Sequence, residues 1–109
     1  MITIHNLEEM KKYYDKQLNT YVFDDDVEFT IDIDVESDIN AWNIEARDIN
    51  ARDIYARDIN AYDIDAWNID YFAYCIAYYS FKCKSVNGYR KNSIHKCLDK
   101  EIEYVKEDK

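Results

Sequence analysis

The chain has 109 residues, 23 acidic against 14 basic side chains, a net charge of −9, one glycine and no proline. That is the length of a single domain, and an apolar fraction of 48% argues against disorder. The acidity argues against a direct hold on nucleic acid or on an anionic membrane surface, both of which select for Lys and Arg.

Asn6 to Leu18 reads as a short helix. Asn6 can cap the N–H of Glu9 while Glu9 reaches back, and Leu7, Met10, Tyr14 and Leu18 share one face. From Val27 to Val35 strict alternation takes over, with Val27, Phe29, Ile31, Ile33 and Val35 on one side and Glu28, Thr30, Asp32 and Asp34 on the other. That pattern predicts a strand with an acidic outer side.

From Asp38 to Asp70 the chain repeats every five residues, with Ile at 39, 44, 49, 54, 59, 64 and 69, Ala at 41, 46, 51, 56, 61 and 66, and Asp or Asn before each Ile. On a helix, five residues advance the direction by about 140° net, so the isoleucines would spiral around the surface. On a flat strand an odd period sends successive isoleucines to opposite faces. Only a chain that turns a corner every five residues points all of them inward, with Asn and Asp taking the turns that glycine usually takes. The expected fold is mainly β: a short solenoid over 24–86, an N-terminal helix-containing cap over 1–23 and a C-terminal cap over 87–109. Asn87-Gly88 is the strong hairpin signal there, followed by apolar pieces around Ile94, Leu98, Ile102 and Val105.

The recurring Ala, Asp/Asn and Ile resemble a pentapeptide-repeat protein, and the end of the chain from Tyr71 to Asp99 resembles small repeat proteins of bacteria and their phages. The first resemblance implies a four-sided right-handed coil of four repeats, about twenty residues, per turn. Residues twenty apart would then stack about 4.8 Å from each other: Ile44 on Ile64, Ile49 on Ile69, Trp42 on Tyr62, Asp38 on Asp58.

Charge is unevenly spread. Residues 1–23 carry three acids and three bases, residues 24–70 fifteen and three, and residues 71–109 five and eight, for nets of 0, −12 and +3. Eight of the acids, Asp24, Asp25, Asp26, Glu28, Asp32, Asp34, Glu36 and Asp38, fall within one short stretch. They read either as a solvated face or as a partner-binding surface with a strong negative field. Arg47, Arg52 and Arg57 point to different sides of a coil and read as local charge balance. Trp42, Trp67, Tyr55 and Tyr62 read as outward anchors or as covers for the seams of a thin core.

Cys75, Cys83, His95 and Cys97 make a Cys₃His set, the ligand complement of a closed structural zinc site. The spacing matches no standard finger, so buried free thiols remain the alternative. His5 stands alone near the chain start and reads as a surface residue.

No nucleophile with its base, phosphate loop or open metal site stands out, so a non-enzymatic protein is expected. Pentapeptide-repeat proteins include acidic DNA mimics that inhibit gyrase, and small acidic phage proteins include anti-CRISPR inhibitors of RNA-guided nucleases. The resemblance implies a cytoplasmic inhibitor acting in a bacterial host. It would occupy the basic surface of a nucleic-acid-processing protein, with no direct nucleic acid or membrane contact. A structural or scaffolding module, or a homo-oligomer with no inhibitory role, is the alternative.

Overall fold

The computed structural model describes residues 1–105. Residues 106–109 of the expected C-terminal cap lie outside the described residues. Strand β1 (Ile2–Ile4) opens the chain, followed by helix α1 (Leu7–Met10) and a 3-10 turn over Lys11–Tyr13. The cap forms as the sequence predicts, with Asn6 Oδ1 accepting from the Glu9 N–H at 3.1 Å, but Glu9 reaches one residue beyond the cap, its Oε1 accepting from the His5 N–H at 2.9 Å.

The helix is far shorter than the expected Asn6–Leu18, because the chain reverses instead. Strands β2 (Tyr14–Asp15) and β3 (Thr20–Val22) pair antiparallel. Asp15 Oδ1 accepts from the Gln17 and Leu18 N–H groups, and Asn19 takes a left-handed φ of 51°. Of the expected apolar face, only Met10 is buried; Leu7 and Leu18 are exposed.

The stretch from Val27 to Val35 is two short strands, β4 (Val27–Phe29) and β5 (Ile33–Asp34), separated by a bend. Strand β6 (Asp38–Asn40) follows, and then β7, a continuous extended run over Asn43–Gly88 that turns corners without losing its pairing. All of these belong to a β-solenoid of about four turns.

The register corrects the expected coil. Ile33 pairs with Ile49 and Ile39 with Ile54, both parallel, and Val27 pairs with Ile44. Ladder spacing is therefore fifteen to seventeen residues, and Ile39 meets Ile54, not Ile59. Three five-residue sides close each turn, so Ile44 does not stack on Ile64, nor Trp42 on Tyr62. The five-residue period fixes the length of a side but not the number of sides, and side-to-side contacts decide closure.

Both repeated apolar positions point inward. All seven repeat isoleucines are buried, and so are Ala41, Ala46, Ala51, Ala61 and Ala66, with Ala56 partly covered. Each buried isoleucine side chain contributes roughly 1.5–3 kcal/mol from apolar burial. Phe23, Phe29, Tyr71 and Phe81 continue this core beyond the repeats at either end.

The C-terminal end is another coil rather than the expected hairpin. Strands β8 (Ile94–Cys97) and β9 (Glu103–Tyr104) both pair parallel to β7, with Cys75 opposite His95 and Lys82 opposite Glu103. Loops at 89–93 and 98–102 lengthen this last turn, so a spacing of twenty or more residues occurs here, outside the repeat. Gly88 makes no tight reversal. A Cβ there would lie 2.7 Å from Tyr71 Cζ and collide with Ser93, so the glycine permits a close approach. Among the described residues no helix is long and apolar enough to cross a membrane.

Candidate functional site

The Asp or Asn before each isoleucine points outward at the start of a side, and the fifteen-residue coil stacks these residues into three ladders. In the first, the Asp53 N–H donates to Asp38 Oδ1 at 3.1 Å, Asn68 Nδ2 donates to Asp53 Oδ1 at 3.2 Å, and Ser85 Oγ donates to Asn68 Oδ1 at 2.7 Å. In the second, Asn43 Nδ2 donates to Asp26 Oδ1 at 2.9 Å and the Tyr74 N–H to Asp58 Oδ1 at 3.2 Å. Asn43 Oδ1 is left buried without a partner among the described residues.

The third ladder is the most acidic: Asp32, Asp48 and Asp63, ending where Ser80 Oγ donates to Asp63 Oδ1 at 2.7 Å. A hydrogen bond with Asp63 holds the Asp48 carboxyl above its ordinary range; desolvation and the charge of Asp32 add to this, and Arg47 opposes it. Two carboxyls that share a hydrogen bond need a proton between them.

The eight acids from Asp24 to Asp38 do not share one face. They span one full coil, and Asp26, Asp32 and Asp38 head the three ladders on three different sides. Asp25 is engaged locally. Its Oδ1 accepts from the Asp26 N–H at 2.7 Å, its Oδ2 lies 3.2 Å from the N-terminal ammonium, and these two contacts, in that order, lower its pKa. Asp24, Asp34 and Glu36 are exposed, and Glu28 is half-buried on β4. Together the eight form a belt.

What makes faces is the stacking of later coils onto that belt. Glu28 is the register partner of Glu45, and Asp34 of Asn50. The repeat residues Asp48, Asp58 and Asp63 thus join the surface, and so does Glu45, which no sequence pattern singled out. The fifteen-residue register is the signal that finds them.

Cys75, Cys83, His95 and Cys97 are not brought together as a ligand set. Cys75 and Cys83 are fully buried inside the coil, and Cys97 is partly exposed. His95 is Cys75's neighbour on the ladder, but its ring Nδ1 lies 2.6 Å from the Tyr71 hydroxyl. Burial pushes the Cys75 thiol well above its ordinary range and the Cys83 thiol up to about 11, conditions that disfavour a thiolate. Among the described residues no group of three or more His, Cys, Asp or Glu is placed to hold a metal ion. The donor set therefore does not fit the expected zinc, and nothing below is routed through one.

The arginines sit one per side, as expected, but two of them have ring partners rather than only acids. The Arg57 guanidinium lies 5.0 Å from the Trp42 centroid and that of Arg52 5.9 Å from Trp67, each pair fifteen residues apart. Arg52 Nε is also 3.9 Å from Asp38, and Arg47 Nε 3.9 Å from Asp32. Trp42 and Trp67 therefore each hold a cation from the neighbouring coil, whereas Tyr55 and Tyr62 are exposed rings. His5 is exposed near the chain start.

No family model, curated protein or solved structure matches the chain.

Proposed function

We propose that this chain is a non-enzymatic acidic binding protein that occupies the basic, nucleic-acid-binding surface of a DNA-acting enzyme and keeps DNA from loading. The observation that carries this reading is the stacking of carboxylates at equivalent outward positions of successive coils. Residues 24–70 hold fifteen acids and three bases, a net of −12, wound into about three coils. At about 4.8 Å per coil that is roughly one net charge per 1.2 Å of axis. Duplex DNA carries one per about 1.7 Å. A groove built for a duplex meets a comparable linear charge on a rigid backbone.

The two resemblances narrow the target. The five-residue period and the acidity are shared with pentapeptide-repeat inhibitors of gyrase, but a coil of three repeats presents a different cross-section from a coil of four. Small size and concentrated charge suit a phage anti-CRISPR type of inhibitor, so an RNA-guided nuclease is the first target class to test. The assay is loading of a labelled target duplex onto the guide-charged nuclease, followed at low and high salt. The reading predicts loss of DNA binding at low salt and recovery as salt screens the field. Unchanged DNA loading across RNA-guided nucleases and gyrase at low salt would refute it.

A further inference from the structure

At two corners the chain lays an arginine over a ring one coil away, Arg57 on Trp42 and Arg52 on Trp67. At the third corner the same spacing brings Arg47 to the level of Tyr62, but Arg47 Nε is directed at Asp32, 3.9 Å away. Tyr62 packs instead against Tyr78 and Tyr79, with ring centroids 5.5 and 5.6 Å away. The three tyrosines remain 44%, 36% and 54% exposed. Tyr62 and Tyr78 open onto a groove of about 410 Å³ whose charged lining is Glu28, Glu45 and Arg47, two carboxylates against one guanidinium. Those two glutamates are register partners on adjacent coils.

We propose that this tyrosine corner anchors an arginine of a basic protein partner, the guanidinium lying on the Tyr62, Tyr78 and Tyr79 cluster and facing Glu28 and Glu45. The proposal rests on the reading of the chain as a binder of basic surfaces and names the place where binding is specific. Charge complementarity selects the occupant. An apolar partner would bury two carboxylates with only Arg47 to balance them, and a nucleic acid would meet a net charge of its own sign. A guanidinium satisfies both features, because it stacks on aromatic faces and offers a planar fork of donors to carboxylates. A lysine ammonium is more strongly hydrated and lacks the planar fork.

The test uses the full chain and fluorescent oligo-arginine and oligo-lysine peptides of equal length, followed by anisotropy at constant salt. The arginine peptide is expected to bind about two- to fivefold tighter, the ratio an exposed cation–ring contact supports. Tyr62→Ala with Tyr78→Ala should lower arginine-peptide affinity to that of the lysine peptide and leave lysine binding unchanged. Tyr62→Phe with Tyr78→Phe keeps the rings and should keep the preference, which separates loss of the anchor from loss of fold. Equal binding of the two peptides by the native chain would overturn the anchor and leave the acidic-surface reading standing, as would an equal loss of both in the alanine variant. Binding of neither peptide would overturn both.

Discussion

The guanidinium of Arg57 lies 5.0 Å from the centroid of the Trp42 ring, fifteen residues earlier in the chain. The Arg57 N–H also donates to the Trp42 carbonyl at 2.6 Å, so backbone and side chains report one register. Replacing each residue by alanine singly and together should give a coupling of about 0.5–1 kcal/mol, the value of an exposed cation–ring pair. Chemical denaturation of the four proteins measures it. A coupling of zero would mean that the ring and the cation do not meet.

Cross-linking tests the coil size independently. Cysteines in place of Asp53 and Asn68, joined through the ladder by a 3.2 Å hydrogen bond, should form a disulfide on mild oxidation. Cysteines in place of Asp48 and Asn68, which a twenty-residue coil would stack, should not. Non-reducing electrophoresis after partial proteolysis separates the outcomes.

The Asp48 and Asp63 pair makes the solenoid respond to pH against the usual trend for carboxylates. Asp48 has a folded pKa above its ordinary value, chiefly through its hydrogen bond with Asp63. A raised folded pKa contributes stability that is full below the unfolded value and is lost as pH rises through the folded value. Asp48→Asn keeps a hydrogen-bond donor and removes the charge, so it should raise Tm at neutral pH and leave Tm near pH 4 little changed. Both carboxyls are solvent-accessible, so screening keeps the effect small.

Gly88→Ala should destabilise the last coil by about 1–3 kcal/mol, because the new methyl group meets Tyr71 and Ser93. Hydrogen exchange should show the loss first at the amides of Tyr89 and Arg90, which donate to the Tyr71 and Phe72 carbonyls. Uniform loss across the chain would show instead that the last coil is not a separate stability unit.

The thiols should separate by reactivity. Cys97 is partly exposed, whereas burial covers Cys75 and Cys83 and holds the Cys83 thiol up to about 11. A thiol reagent at neutral pH should label Cys97 and reach the other two only on unfolding. Zinc content of untagged protein should stay well below one equivalent; a full equivalent would require a rearrangement that gathers Cys75, Cys83, His95 and Cys97.

The isoleucine spacing was enough to predict a chain that corners every five residues with Ile39 to Ile69 inside, because no helix or flat strand buries that pattern. The number of sides was not legible from the period. The outward residues alone do not decide it either: at fifteen Arg57 meets Trp42 and Arg52 meets Trp67, but at twenty Trp42 would meet Tyr62 and Arg47 would meet Trp67. The acids from Asp24 to Asp38 were visible as a dense run, but a run of coil length encircles the molecule. The face they contribute to depends on register partners such as Glu45, which lie outside the run. Cys75, Cys83, His95 and Cys97 were close in sequence and suitable as ligands, but Cys75 pairs with His95 on one ladder and Cys83 with Tyr104 on another, so the sides of the coil keep them apart.

Neutralising outward acids that make no ladder bond among the described residues tests whether stacked carboxylates on successive coils take the place of DNA on a basic surface. The variant is Glu28→Gln, Asp34→Asn, Glu36→Gln and Glu45→Gln together, assayed beside the native chain for blocking duplex loading onto guide-charged RNA-guided nucleases. Circular dichroism should be unchanged and Tm at least as high as native, with inhibition reduced by an order of magnitude or more. Full inhibition by this folded, less acidic variant would rule out charge mimicry.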